Sequence, residues 1–156
     1  MKSNIIILTP VYNDWKNLEK LLKRINKIFL KKLKSKFELI VVNDCSQEIY
    51  NYKKLKLKTI SKINFISLYK NVGSQRAIAI GIRYLSNVYK KKNFKTIIID
   101  SDGQDNPNVI SKLLSISKQK PSFSIAINRG QRKESSLFRI FYELYCLIIR
   151  VFYFKK

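Results

Sequence analysis

Two hydrophobic periods alternate along the chain. Ile5 to Leu8 is a short β-branched apolar run closed by Thr9-Pro10, the pattern of a strand buried on both faces. The period then lengthens. Trp15, Leu18, Leu21, Leu22, Ile25, Ile28 and Phe29 recur every three or four residues, which predicts a long amphipathic helix with Asn13 or Asp14 as its N-cap. Phe37 to Val42 predicts a second strand. The Lys-rich stretch Tyr50 to Lys62 is weakly patterned and reads as a loop or short helix, and Ile63 to Leu68 as a third strand. Ala77, Ile78, Ile82, Leu85 and Val88 restore helical spacing over Ser74 to Tyr89, and the basic stretch Lys90 to Lys95 leads into a fourth strand, Thr96 to Ile99. Asn106-Pro107 supplies a capping residue and a proline at the first helical position, and Ile110, Leu113, Leu114 and Ser117 carry that helix to Lys120-Pro121. Phe123 to Ile127 predicts a fifth strand. Strands alternating with helices specify an α/β fold, a mainly parallel sheet flanked by helices and joined by right-handed crossovers. No internal repeat or low-complexity linker interrupts the pattern.

Composition narrows the chemistry. With 156 residues, 46% of them hydrophobic, the chain suffices for one domain around a single core. It has no His, which excludes a Ser-His-Asp triad, a His general base and a His-ligated metal within this chain. Cys45 and Cys146 lie far apart without metal-ligand spacing, so neither a disulfide framework nor a zinc site is expected, and a reducing cytoplasm fits. The N-terminus enters its first apolar run after a single Lys with no small-residue cleavage site, so no signal peptide is expected. The formal charge of +22 points at face value to a polyanion: nucleic acid, anionic lipid or a phosphorylated substrate. Most of the bases are Lys, and Ile and Asn are also abundant, so a compositional bias of the source genome produces the same excess.

The acidic residues are placed more informatively. Asp14, Asp44, Asp100, Asp102 and Asp105 each follow closely after a predicted strand. That puts them at the carboxyl edge of a parallel sheet, where ligands bind. Asp also favours turns and N-caps without any function, a sufficient account of Asp14 or Asp105 taken alone. Asp100 and Asp102 are different, because two carboxylates flanking one residue at the end of an apolar strand repel unless a cation or a donor offsets them. Mg²⁺ or Mn²⁺ is held by one or two carboxylates with phosphate oxygens completing the shell, and the Asp100-Ser101-Asp102 spacing suits that arrangement.

Four segments set this pair in context: Ile7-Leu8-Thr9-Pro10-Val11-Tyr12-Asn13-Asp14, Val41-Val42-Asn43-Asp44-Cys45-Ser46, Asn71-Val72-Gly73, and Ile99 through Asp100-Ser101-Asp102-Gly103-Gln104-Asp105-Asn106 to Pro107. In this order and with these gaps the chain resembles family 2 glycosyltransferases of the GT-A type, over most of residues 4 to 142. Asp102 to Pro107, with Asn128-Arg129-Gly130-Gln131-Arg132-Lys133-Glu134-Ser135, is most similar to the polyprenyl-phosphate sugar transferases, the dolichyl-phosphate mannose synthase and bactoprenol glucosyltransferase group. The resemblance implies a Rossmann-like GT-A nucleotide-binding domain over residues 1–134. It implies that Pro10, Tyr12 and Asp14 line the nucleotide pocket, and that Asp44 binds the uracil or guanine base or its ribose. It further implies that Asp100 faces the nucleotide sugar, that Asp102 with Gln104 holds Mg²⁺ or Mn²⁺ on the diphosphate, and that Arg129 and Arg132 clamp phosphate of donor or acceptor with the guanidinium's fork of donors. Asn43 stands where the family often has Asp, and Ser101-Asp102-Gly103 where Ala-Asp-Leu is usual. Family members also continue with further sheet, an acceptor-side motif and often transmembrane helices, so the chain is expected to be truncated.

Residues 135–156 form the second expected region. Leu137 to Phe154 is an 18-residue apolar stretch, close to the length of a membrane span. At 100° per residue, Arg139, Glu143 and Arg150 fall within about 40° of one another, a single polar stripe on an apolar and aromatic helix. Such a helix lies in a membrane interface with Lys155 and Lys156 at anionic headgroups, or else packs as a core helix under further parts of the fold. These features lead to one functional expectation: an inverting, metal-dependent transfer of a hexose from a UDP- or GDP-sugar to polyprenyl phosphate. The site of action would be peripheral, at the inner face of the cytoplasmic membrane, with an anionic membrane surface as partner and no specific nucleic acid. A glycan or polysaccharide acceptor is the alternative within the class. A basic nucleic-acid-binding module or a non-catalytic remnant is the alternative outside it.

Overall fold

The structure is a computed structural model and describes residues 4–48, 50–51, 57–90 and 93–119. The chain divides into two compact units, Met1–Ile125 and Ala126–Lys156, and all the described residues belong to the first. The strand expected at Phe123 to Ile127, the pair Arg129 and Arg132, and the helix expected over 135–156 lie outside the described residues.

Among the described residues four parallel strands form a sheet: β1 (Asn4–Val11), β2 (Phe37–Asn43), β3 (Ile60–Ser67) and β4 (Phe94–Ile98), in the order β3-β2-β1-β4. Helices α1 (Trp15–Ile28), α2 (Ser74–Val88) and α3 (Ile110–Gln119) connect or follow them. Successive strand side chains point to opposite faces, and the core divides accordingly. Ile7, Leu39, Val41 and Ile97 pack with Leu18, Leu22 and Ile25 of α1 and Ile110 and Leu114 of α3. Ile6, Leu8, Ile40 and Val42 pack instead with Ala77 and Leu85 of α2. The near-continuous apolar runs of β1 and β2 follow from this three-layer arrangement, since both faces of each strand are covered. At Gly81, α2 comes so close to the sheet that a Cβ would stand 2.5 Å from Leu8 Cδ1, within contact distance only for a residue lacking one.

Several boundaries differ from the sequence expectation, each for a local reason. The first strand does not close at Thr9-Pro10 but continues to Val11. Pairing of β1 with β4 ends at Leu8–Ile98, while pairing with β2 continues through Pro10–Val42 to Val11–Asn43. Pro10 therefore sits where β1 has one neighbouring strand, a position that tolerates a missing N–H. Strand β3 begins at Ile60, inside the stretch expected to be loop or helix, because Ile60 and Lys62 pair with Phe37 and Glu38 along an edge where Ser61 and Lys62 stay exposed. Strand β4 starts earlier, at Phe94, and ends at Ile98. Helix α1 widens into a π-helical turn over Phe29–Leu33, closed by Lys34 in the left-handed region. Asp14 holds the cap position but its carboxylate caps nothing, accepting instead from Asn17 Nδ2 at 3.1 Å, and Asn13 Oδ1 accepts from the backbone of Gln47. Asn106 does cap the turn Pro107–Val109 ahead of α3, accepting from Asn108 N.

Candidate nucleotide site at the carboxyl edge

With the order β3-β2-β1-β4, the chain leaves β1 toward β2 and returns past it to β4. The carboxyl ends of β1 and β4 thus flank the topological switch point, where an open α/β sheet has a crevice. A cleft of about 150 Å³ lies there, lined by Pro10, Val11 and Tyr12 after β1, Asp44 after β2, Ser74 at the start of α2, and Asp100, Ser101 and Asp102 after β4. Small-molecule pockets usually run to about 300–1,000 Å³, so these residues supply one wall of a binding site.

Each wall residue is held by a specific device. The backbone N–H of Asp44 donates to Val11 O at 2.8 Å, which extends the β1–β2 ladder by one bond past the last strand residue. Asp44 is 2% exposed. Its two carboxylate oxygens accept from the backbone N–H groups of Val72 (2.8 Å) and Gly73 (2.9 Å), which ties the loop before α2 to the end of β2. Gly73 has φ +85° and ψ 152°, a combination essentially reserved for glycine, and this explains the Gly of the Asn71-Val72-Gly73 segment. The loops after β1 and β2 are laced together as well: Asn13 N donates to Ser46 Oγ, Gln47 N to Asn13 Oδ1, and Ser46 N to Asn43 Oδ1. Behind them Trp15 stacks on Tyr50 at 4.7 Å and donates its indole N–H to Glu48 O. The Tyr50 hydroxyl donates to Glu19, and burial followed by that bond pushes the phenol well above its ordinary range, so it remains a donor.

The turn after β4 brings Asp100 and Asp102 to the same cleft. Asp105 Oδ2 accepts from Asp100 N at 3.1 Å, and Asp102 Oδ1 accepts from Gln104 N at 2.9 Å. A backbone donor thus offsets part of the Asp102 charge, while Gly103 makes the turn at φ +77°. The side chain of Asp102 is exposed and that of Asp100 half-buried.

Of the residues singled out in the sequence, Pro10, Tyr12, Asp44, Asp100 and Asp102 come together in the cleft. Asp14 does not line it and sits at the head of α1, and Gln104 is exposed beyond the lining residues. Arg129 and Arg132 lie outside the described residues. Sequence reasoning passed over Ser74 and Ser101. The signal available was their position, one directly after a glycine that opens a helix and the other between the two carboxylates. Among the described residues no group of three or more His, Cys, Asp or Glu side chains is gathered to hold a metal ion. A cation on Asp100 and Asp102 would take its remaining ligands from a bound molecule or from water. Oxygen-only carboxylate donors of this kind fit Mg²⁺ or Mn²⁺ and not a soft metal.

Comparison with known proteins agrees with this architecture. Residues 6–154 match the family described as Glycosyl transferase family 2. An uncharacterized glycosyltransferase of Synechocystis sp. is 30% identical over 140 residues, which cover 86% of this chain and 41% of that protein. Among solved structures, S. aureus TarS 1-349 superposes with a TM-score of 0.54 at 18% identity, covering 84% of this chain and 40% of that one. The same protein in complex with UDP gives 0.54 at 20% identity, covering 87% and 39%. The chain therefore spans about 41% of the length of its curated relative. The sheet order, the carboxylates at its carboxyl edge and a family match over nearly the whole sequence lead to one conclusion: the chain belongs to glycosyl transferase family 2.

Proposed function

We propose that this chain forms the nucleotide-sugar-binding part of an inverting transferase that moves a hexose from a UDP- or GDP-sugar to a polyprenyl phosphate. The observation that carries the donor half of this reading is the convergence of Pro10, Tyr12, Asp44, Asp100 and Asp102 on one cleft at the switch point of the sheet. The S. aureus TarS structure with UDP, similar in fold, supports a nucleoside diphosphate as the ligand. In this reading Pro10 and the exposed Tyr12 ring frame the nucleoside, and Asp44, already fixed by two amides, faces the base or ribose with its remaining lone pairs. Asp100 and Asp102 would hold Mg²⁺ or Mn²⁺. Such a cation would supply positive charge to the diphosphate, which otherwise meets carboxylates and hydroxyls as the polar side chains of the described lining residues. Arg129 and Arg132 would supply further charge to phosphate oxygens, a kind of stabilisation often worth ~10²- to 10³-fold in rate for each donor removed. An acceptor phosphate, with a second pKa near ~6, is mostly ionised at neutral pH and attacks the anomeric carbon without a strong general base, so a chain with no His suffices.

The polyprenyl acceptor rests on the likeness of Asp102 to Pro107 and of 128–135, on the +22 charge and on the apolar stretch 137–154. The same features support a location at the inner face of the cytoplasmic membrane, lying on an anionic surface. Among the described residues no helix is long and apolar enough to cross a membrane.

Calorimetric titration of the full chain tests the donor half. UDP or GDP is expected to bind in Mn²⁺ and to lose at least about tenfold in affinity when the cation is chelated, since each tenfold is ~1.4 kcal/mol and carboxylate–diphosphate repulsion exceeds that. Equal binding in chelator removes the cation from the reading, and no binding of either nucleotide removes the donor. The acceptor is tested by supplying labelled UDP- and GDP-hexose with polyprenyl phosphate in anionic vesicles. Label is expected in the lipid extract, and label appearing only on water-soluble glycan overturns the lipid acceptor.

A further inference from the structure

Ser101 stands between the two carboxylates in the turn after β4, is 8% exposed and lines the cleft. No described residue forms a hydrogen bond with its hydroxyl. The Oγ itself is not sealed from solvent, so it stays reachable where the residue meets the cleft. A hydroxyl with no partner among the described residues, on a residue of the cleft wall, is free to donate to a bound ligand atom.

The surroundings decide which atom. The carboxylates of Asp44, Asp100 and Asp102 only accept, and Asp44 and Asp102 already accept backbone N–H groups. A diphosphate also only accepts, so apart from a cation its partners among the side chains of the described lining residues are the hydroxyls of Tyr12, Ser74 and Ser101. Ser101 is flanked on each side by the carboxylates proposed to hold the cation, so a phosphate oxygen bound to that cation comes within reach of the residue between them. A ribose hydroxyl, able to donate, is instead suited to the carboxylates. We infer that Ser101 Oγ donates a hydrogen bond to a phosphate oxygen of the bound nucleoside diphosphate, making it a specificity residue that separates the nucleotide from its nucleoside. This rests on the nucleotide-donor reading above. An alanine here, usual in the family the chain resembles, leaves that bond unmade.

The test compares the wild-type chain with Ser101→Ala and Ser101→Thr in Mn²⁺, titrating UDP and uridine, or GDP and guanosine if GDP is the ligand. Hydrogen bonds to charged acceptors contribute about 1.5–3 kcal/mol. Ser101→Ala is expected to weaken the diphosphate about tenfold or more, leave the nucleoside unchanged, and leave the melting temperature unchanged, because the hydroxyl has no partner among the described residues to lose. Ser101→Thr, which keeps the hydroxyl, is expected to stay within a few-fold of wild type. An unchanged diphosphate affinity in Ser101→Ala overturns the inference, as does an equal loss for nucleoside and diphosphate, or a loss accompanied by a fall in melting temperature. Failure of the wild-type chain to bind either diphosphate is a separate result, which defeats the nucleotide reading itself.

Discussion

Asp102→Asn is expected to lower Mn²⁺-supported affinity for UDP or GDP by about 10- to 100-fold while leaving the fold intact. The substitution changes charge and little else. Asp102 Oδ1 accepts from Gln104 N at 2.9 Å, and an Asn side-chain carbonyl can accept the same bond, so the turn is preserved. What is lost is one of the two carboxylates lining the cleft after β4. Two unit charges at about 4 Å interact by roughly 4 kcal/mol at an effective dielectric near 20, and the exposure of Asp102 to water reduces that further. A remaining ~1.4–2.7 kcal/mol converts to the stated range. Asp105→Asn is the matched control. Asp105 Oδ2 accepts from Asp100 N, a bond that braces the turn, and Asn retains an acceptor for it, so affinity is expected to stay within about threefold. Calorimetry on both variants, with and without chelator, decides. If Asp102→Asn keeps the full metal dependence, or if Asp105→Asn loses more than Asp102→Asn, the cation is held elsewhere.

The parts of this fold that were legible in the sequence are those where burial dictates residue type. Ile6, Ile7 and Leu8 of β1, Leu39 to Val42 of β2 and the apolar stripe of α1 face packed layers, so their hydrophobic periods carry the structure directly. Edges and ends were less legible. Ser61 and Lys62 belong to a strand whose ladder partners are known only after folding, and the continuation of β1 through Pro10 depends on where β4 stops pairing. The cleft was legible as a set of carboxylates after strands, because parallel topology places every strand's carboxyl end on one edge. It was not legible which of them would be spent on structure. Asp14 looks the same in sequence as Asp44, yet Asp14 meets Asn17 on its own helix while Asp44 reaches across to a loop 28 residues on. That distinction is set by tertiary contacts alone, as is the burial of Ser101.

Asp44 is accordingly the position where function and stability are expected to fail together. Its side chain is 2% exposed and accepts two backbone N–H groups, from Val72 and Gly73. Asp44→Ala leaves Val72 N without its partner and Gly73 N with only Asn71 Oδ1 at 3.1 Å, and opens a small void beside the ladder bond from Asp44 N to Val11 O. Each lost bond to a charged acceptor counts for about 1.5–3 kcal/mol, and the remaining Asn71 acceptor and access of water to the loop offset some of it, so a loss of roughly 2–4 kcal/mol is expected. Asp44→Asn should rescue little. One of its two terminal groups is an NH₂, which faces a backbone N–H whichever way the amide is turned, so a donor meets a donor where an acceptor is required. The expected order of stability is wild type, then Asn, then Ala, with Asn at least about 2 kcal/mol below wild type. This contrasts with position 102, where the same Asp-to-Asn change spares the fold. Because the anchored loop also carries Ser74 at the cleft, nucleotide affinity should fall in Asp44→Asn even under conditions where the variant is still folded. Urea denaturation of the three proteins, followed by titration of the folded fraction, measures both effects. If Asp44→Asn melts with wild-type stability, the two amide bonds do not hold the loop, and the account of Asp44 as the anchor of this wall is wrong.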